Sequence, residues 1–254
     1  YGRSARSGRR AGGPDEIPGG SGDRKENRSL PGRKGKPEKN RIAAGEKRVS
    51  EKNRARIGIM GGTFDPIHIG HLILGETAYE QFHLDKVLFM PAGNPPHKKN
   101  RRGRATDEER VEMVRRAISG NEHFELSLIE MNEDGYTYTY RTLERMQQER
   151  KDADYYFIIG ADSLYNFETW MEPARICQAA RIVVATRDHT EEESLDREMH
   201  RLSVKYNGTF LKLDSLNIDI SSQMLRAWIN ENRTIRYYVP DGVANYIRKN
   251  HIYQ

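Results

Sequence analysis

Residues 56–72 read RIGIMGGTFDPIHIGHL, and the fold turns on this stretch. RIGIMGG (56–62) is a short apolar run ending in glycines, the pattern of a buried strand entering a tight turn. HIGHLILGETAYEQF (68–82) then carries helical periodicity. Strand, glycine turn and helix together form the unit from which parallel α/β sheets are assembled.

The same alternation continues outward. DKVLFMPA (85–92), FELSLIEM (124–131), DYYFIIGADS (154–163), RIVVATR (181–187) and TFLKLDS (209–215) read as strands. TDEERVEMVRRAISG (106–120), YRTLERMQQERK (140–151), EEESLDREMHRLSVKY (191–206) and SSQMLRAWINEN (221–232) read as helices. A last helix is expected within YYVPDGVANYIRKNHIY (237–253). Thr106 and Glu109 have the spacing of a capping box. The expectation is one α/β domain over 55–254, a Rossmann-like, doubly wound parallel sheet, with no internal repeat.

Residues 1–54 differ in kind. They are rich in Gly, Arg, Ser and Pro and poor in large apolar side chains, so they are expected to stay disordered. Two readings of this tail stand: an arm drawn to RNA or membrane, or an upstream extension with no role. Residues 1–56 hold 17 Lys/Arg against 7 Asp/Glu, and residues 57–254 hold 25 against 30. The basic average therefore belongs to the tail, and a net-negative body argues against a nucleic-acid-binding protein. One cysteine, Cys177, rules out an internal disulfide framework and fits a reducing, cytoplasmic setting. No apolar run suits a membrane span, and neither a secretory signal nor a transit peptide is evident. The chain begins at Tyr1 rather than Met, as a fragment or processed product would.

The chemistry concentrates at GGTFDPIHIGHL (61–72), where the first strand hands over to the first helix. Ligands of α/β sheets bind outside the carboxyl ends of strands. Gly61 and Gly62 let backbone pass close to a ligand. His68 and His71, three apart, share a face of the first helical turn. Imidazoles beside the N–H groups and positive dipole of a helix start make a phosphate site. Gly70 leaves room for a nucleotide. A zinc pair is the alternative, although it would need a third ligand. Asp65 invites a general acid–base role, but an Asx-type bond holding the turn is preferred.

DISSQMLR (219–226) offers a second anion site: Ser221 as N-cap, and Arg226 with a forked cation. In FIIGADSLYNFETW (157–170), Gly160 permits close approach and Asp162 can accept from ribose hydroxyls. Trp170 reads alone as core, and PPHKK (95–99) reads alone as a solvated basic loop.

The 61–72 block resembles the signature of the HxGH nucleotidyltransferases, and more narrowly of bacterial nicotinate mononucleotide adenylyltransferases. The likeness runs through residues 56–254 and leaves the tail out. It implies an enzyme that transfers the adenylyl group of ATP to nicotinate mononucleotide in NAD biosynthesis. It implies an ATP site made of Gly61, Gly62, Thr63, Phe64, His68 and His71 from the first block, Gly160 and Asp162 from the strand end, and Ser221, Ser222 and Arg226 from the second block. The second block is similar to the family's ISSTxxR motif, with Gln223 where Thr is usual. His68, His71 and Arg226 would be the catalytic charges. Trp170 resembles the tryptophan that stacks on the pyridine ring, with the amides of Thr139 and Met171 meeting the nicotinate carboxylate. His97 and Lys98 would lie near phosphates. Mg²⁺ would arrive with ATP, without an assigned protein ligand. Neither membrane nor nucleic acid is required as a partner. HIGH also occurs in class I aminoacyl-tRNA synthetases, but no KMSKS-type loop or tRNA-binding body accompanies it here. Pantetheine-phosphate and glycerol-phosphate transferases are disfavoured by Trp170 with YTYTY (136–140).

Overall fold

A computed structural model describes residues 54–93, 103–131, 135–186, 192–216 and 218–254. All belong to one compact unit, Gly45–Gln254. The expectations for the tail, Arg54 apart, and for His97 and Lys98 lie outside the described residues.

Six strands form one all-parallel sheet: β1 (Ala55–Gly62), β2 (Lys86–Pro91), β3 (Phe124–Leu126), β4 (Ala153–Gly160), β5 (Arg181–Ala185) and β6 (Phe210–Leu213). Their order is β3-β2-β1-β4-β5-β6, with β1 paired to β2 on one side and to β4 on the other. This is the doubly wound order that reverses direction between β1 and β4. Central strands buried on both faces must be apolar throughout, and β4 (ADYYFIIG) is nearly so.

The period-2 alternation sorts side chains to two cores. Met60, Ile158 and Val183 point to one, under α1 (Ile69–Gln81), α2 (Asp107–Ile118), α7 (Ser222–Asn230) and α8 (Asp241–Lys249). Ile59, Phe157, Ile159 and Val184 point to the other, under α3 (Thr139–Glu149), α5 (Pro173–Ala179) and α6 (Glu192–Tyr206). The short α4 (Ala161–Tyr165) and a 3₁₀ turn, Phe167–Thr169, follow β4. No helix among the described residues is long and apolar enough to cross a membrane.

The capping box of α2 is present. Thr106 Oγ1 accepts the Glu109 amide at 3.2 Å, and Glu109 Oε2 accepts the Thr106 amide at 2.8 Å. Two local expectations need correction, and one helix was not anticipated. FELSLIEM stops being a strand after Leu126, because the edge strand pairs with β2 only across Val87–Phe89 and then turns. DYYFIIGADS ends as a strand at Gly160, so Asp162 sits in the first turn of α4. PARICQA (173–179) is a helix opened by Pro173 at its first position, a start signal passed over because two turns carry too little periodicity.

Candidate active site

The carboxyl ends of β1 and β4, at the point of reversal, open onto a cleft of about 290 Å³. Its floor is Met60 and Gly61 from β1 and Ile158 to Gly160 from β4. A Cβ on Gly61 would lie 3.2 Å from the Phe157 ring, so a side chain there would press on the floor. One wall is the start of α1, with His68, Gly70 and His71; the other is the start of α7, with Ser221 and Ser222. Trp170 closes one side.

His68 is the N-cap of α1 and is buried. Its amide donates to His71 Nδ1 at 3.2 Å, and the two rings lie close, centroids 3.7 Å apart and tilted by 31°. Because His71 Nδ1 accepts, the neutral ring carries its proton on Nε2, which makes that nitrogen a hydrogen-bond donor. Phe64, fully buried at a positive φ of 51°, sets its ring edge-on to His71 at 5.1 Å. A Cβ on Gly70 would sit 3.1 Å from the His68 ring, so glycine here accommodates the imidazole as much as a ligand. Of the first α1 amides, that of Ile69 is taken by the Tyr238 carbonyl at 3.0 Å.

Across the cleft, Ser221 Oγ accepts the Met224 amide at 3.2 Å, the expected N-cap. Ser222 Oγ donates to the Pro66 carbonyl at 2.8 Å. Arg226 stands away from the cleft lining. Its Nη1 donates to the Asp65 carbonyl and lies 3.7 Å from Asp65 Oδ2. Burial, then the neighbouring Arg104, lowers its pKa.

Asp65 does not hold the turn by a local Asx bond. Oδ2 pairs with Arg104 at 2.7 Å, while Oδ1 accepts the Ala105 amide at 3.1 Å and the Tyr253 hydroxyl at 2.7 Å. Every partner is distant in sequence, which spacing rules cannot see. Arg110 was missed for the same reason: buried on α2, it donates to the Thr63 carbonyl at 2.7 Å and the Ala92 carbonyl at 2.8 Å, and so fixes the turns after β1 and β2. Ser163 and Thr186 also line the cleft unforeseen. Both follow strands adjacent in the sheet, which strand order alone would have indicated.

Trp170 packs against Phe157 and Phe167 at 6.2 and 5.6 Å, so it is both core and cleft wall. Thr139 opens α3, where amides lack intrahelical partners, and Met171 is half exposed beside Trp170. Thr139, Met171, Asp162, Gly62, Thr63 and Phe64 are not themselves lining residues of this cleft. Among the described residues, no group of three or more His, Cys, Asp or Glu stands together as a metal site, so the His68–His71 pair has no third zinc ligand there.

Residues 59–228 match the cytidylyltransferase-like family. A probable nicotinate-nucleotide adenylyltransferase of Lachnoclostridium phytofermentans is 39% identical over 198 residues, covering 78% of this chain and 98% of that protein. The chain belongs to this family. A probable nicotinate-nucleotide adenylyltransferase of Clostridium perfringens is 38% identical over 200 residues, with 78% and 98% covered. Among solved structures, the nicotinic acid mononucleotide adenylyltransferase of Plasmodium falciparum complexed with NaAD superposes at a TM-score of 0.64 and 20% identity, over 78% of this chain and 97% of that one. At that identity the superposition speaks to the fold, and the sheet order agrees with it. As a nucleotidyltransferase of this family, the chain has its sheet reversal, paired histidines and α7 start on one cleft.

Proposed function

We propose that the chain transfers the adenylyl group of ATP to nicotinate mononucleotide, giving nicotinate adenine dinucleotide and pyrophosphate in a cytoplasmic step of NAD biosynthesis. The supporting observation is the cleft at the β1/β4 reversal, lined by the closely packed His68 and His71, the start of α7 and Trp170. A phosphate oxygen of the mononucleotide attacks the α-phosphorus of ATP in line. The new P–O bond forms as the bond to the bridging oxygen of pyrophosphate breaks, without a covalent enzyme intermediate.

Such transfers are driven by positioning and charge stabilisation. Holding two reactants in line supplies roughly 7–11 kcal/mol of the barrier reduction. His71 Nε2–H and His68 donate to phosphate oxygens, while Ser221 and Ser222 present the helix start to the triphosphate. Arg226 is held by Asp65 in this structure, so its contribution to the phosphates is as a fixed nearby positive charge. Asp162 is assigned to the ribose, the amides of Thr139 and Met171 to the nicotinate carboxylate, and His97 and Lys98 to phosphates. Mg²⁺ carried with ATP would offset phosphate charge, and no protein ligand is assigned to it.

Purified protein with ATP, Mg²⁺ and each pyridine mononucleotide separately tests this reading. Pyrophosphate and a dinucleotide should appear in equal amounts, fastest with the nicotinate form. Formation of neither product from either mononucleotide would overturn it.

A further inference from the structure

Tyr253 is 188 residues from Asp65 in sequence, yet its hydroxyl donates to Asp65 Oδ1 at 2.7 Å with both side chains buried. It follows α8 in a turn at a positive φ of 69°, next to Ile252, which is buried in the α1/α2/α7/α8 core. Burial, then the adjacent Asp65 carboxylate, raises the pKa of the phenol, so the hydroxyl remains a donor. Arg104 and the Ala105 amide reach the same carboxylate from the turn just before α2.

Residues 65–66 also receive α7. The Asp65 carbonyl takes Arg226, and the Pro66 carbonyl takes Ser222. Two residues further on is His68. One dipeptide therefore links the two walls of the cleft, and its orientation is set from behind by the Asp65 carboxylate. We propose that Tyr253 is a positioning residue for the ATP site: by holding the Asp65 carboxylate it fixes residues 65–66, and so the separation between the His68–His71 pair and the Ser221–Ser222 helix start. The proposal rests on the nucleotidyltransferase reading above.

Tyr253→Phe removes one oxygen and keeps the packed ring. The carboxylate loses a donor where water has little access, and its balance shifts toward Arg104 and Arg226. A displacement of about 1 Å near reacting groups is enough to cost up to about 10²-fold in rate. We expect kcat/KM for ATP to fall by about tenfold, through a raised KM for ATP together with a lowered kcat, while KM for the mononucleotide stays at the wild-type value. The comparison is Ile247→Val, which trims the same core on α8 without touching Asp65. It should lower Tm and leave both KM values unchanged. In an Asp65→Asn background, Tyr253→Phe should add nothing further, since coupled neighbours are non-additive.

The experiment is steady-state kinetics on the full chain well below Tm, with calorimetric binding of a non-hydrolysable ATP analogue to each variant. If Tyr253→Phe lowers Tm but keeps wild-type kinetics and analogue affinity, Tyr253 only staples the fold and the proposal fails. It fails also if Ile247→Val reproduces the same ATP defect, or if the two mutations add in full. Wild-type protein that neither binds the analogue nor turns over would instead remove the parent reading, a result separable from the Tyr253 outcomes.

Discussion

Two carboxylates in this molecule gather nearly the same partners in opposite surroundings. Asp65, behind the cleft, is met by Arg104, Arg226 and the Tyr253 hydroxyl. Glu168, in the 3₁₀ turn that leads to Trp170, is met by Arg201, Lys205 and the Tyr206 hydroxyl. The Asp65 side chain is 2% exposed and that of Glu168 is 34% exposed. Water can stand in for a lost partner at Glu168 but has little room to do so at Asp65. The histidine end of the cleft is therefore built on a network whose partners cannot be exchanged, whereas the Trp170 end is held mainly by aromatic packing on Phe157 and Phe167. The buried network lies where the phosphates are proposed to be held in line, and the wall built on aromatic packing lies where the pyridine ring is proposed to enter.

The largest effect should come from the histidine end. His71→Ala deletes a preorganised donor together with the acceptor of the His68 amide, and kcat should fall by on the order of 10²–10³. Circular dichroism should remain near wild type and Tm should fall only modestly, since the loss is one cap bond to the His68 amide and the ring contacts with Phe64 and His68. Near-normal turnover in a folded variant would take His71 out of the site and leave the buried network without the purpose assigned to it.

At the Trp170 end the contacts proposed to discriminate are backbone amides. Two N–H donors, from Thr139 and Met171, suit a carboxylate that accepts at both oxygens. A carboxamide would turn its own NH₂ toward one of them. A donor left unpaired costs about 1–3 kcal/mol, and 1.4 kcal/mol is tenfold. The kcat/KM for nicotinate mononucleotide should therefore exceed that for the nicotinamide form by at least about tenfold. Equal efficiencies would sink the amide-donor argument, and a preference for the amide would reverse it. Trp170→Ala should be gentler and indifferent to that choice. Ring stacking contributes about 0.5–1.5 kcal/mol, so KM should rise by roughly two- to tenfold for both mononucleotides and stay constant for ATP. A selective effect on one mononucleotide would mean that Trp170 reads the acid group and not the ring.

The contrast between the two ends also explains what the sequence could and could not reveal. RIGIMGG, HIGHL and SSQMLR announce a strand, a helix start and a second capped helix because their signals are local: an apolar run, glycines, an N-cap. The Thr106–Glu109 box was equally legible. Arg226 is different. Its residue type suits a phosphate, but its placement depends on Asp65, 161 residues away in sequence. Arg110 and Tyr253 carry no local mark at all; they look like one more helix charge and one more aromatic until the sheet brings the β1 turn against them. Asp162 was misplaced because strand and helix compete for the residues after Gly160, and only the end of β-pairing there decides between them.

The smallest effect is expected at Glu168, where it tests whether burial is what separates the two carboxylates. The salt and hydrogen bonds from Arg201, followed by Lys205, hold its pKa well below the ordinary 4.5, at about 2. A carboxylate whose folded pKa is depressed contributes stability that is fully present above the unfolded value. That contribution is lost as pH falls through the folded one. Glu168→Gln should thus lower Tm only slightly at pH 7, since an exposed pair is screened by solvent and weakened further by salt. The gap from wild type should narrow from about pH 4.5 downward and close near pH 2. Both KM values at pH 7 should be unchanged. Melting curves at stepped pH and at low and high ionic strength measure this directly. If Glu168→Gln matched Asp65→Asn in lost stability, or raised KM for ATP as Tyr253→Phe is expected to, solvent access would not be the property that divides the two ends. The aromatic wall at Trp170 would then be as tightly coupled to phosphate positioning as the buried turn at Asp65.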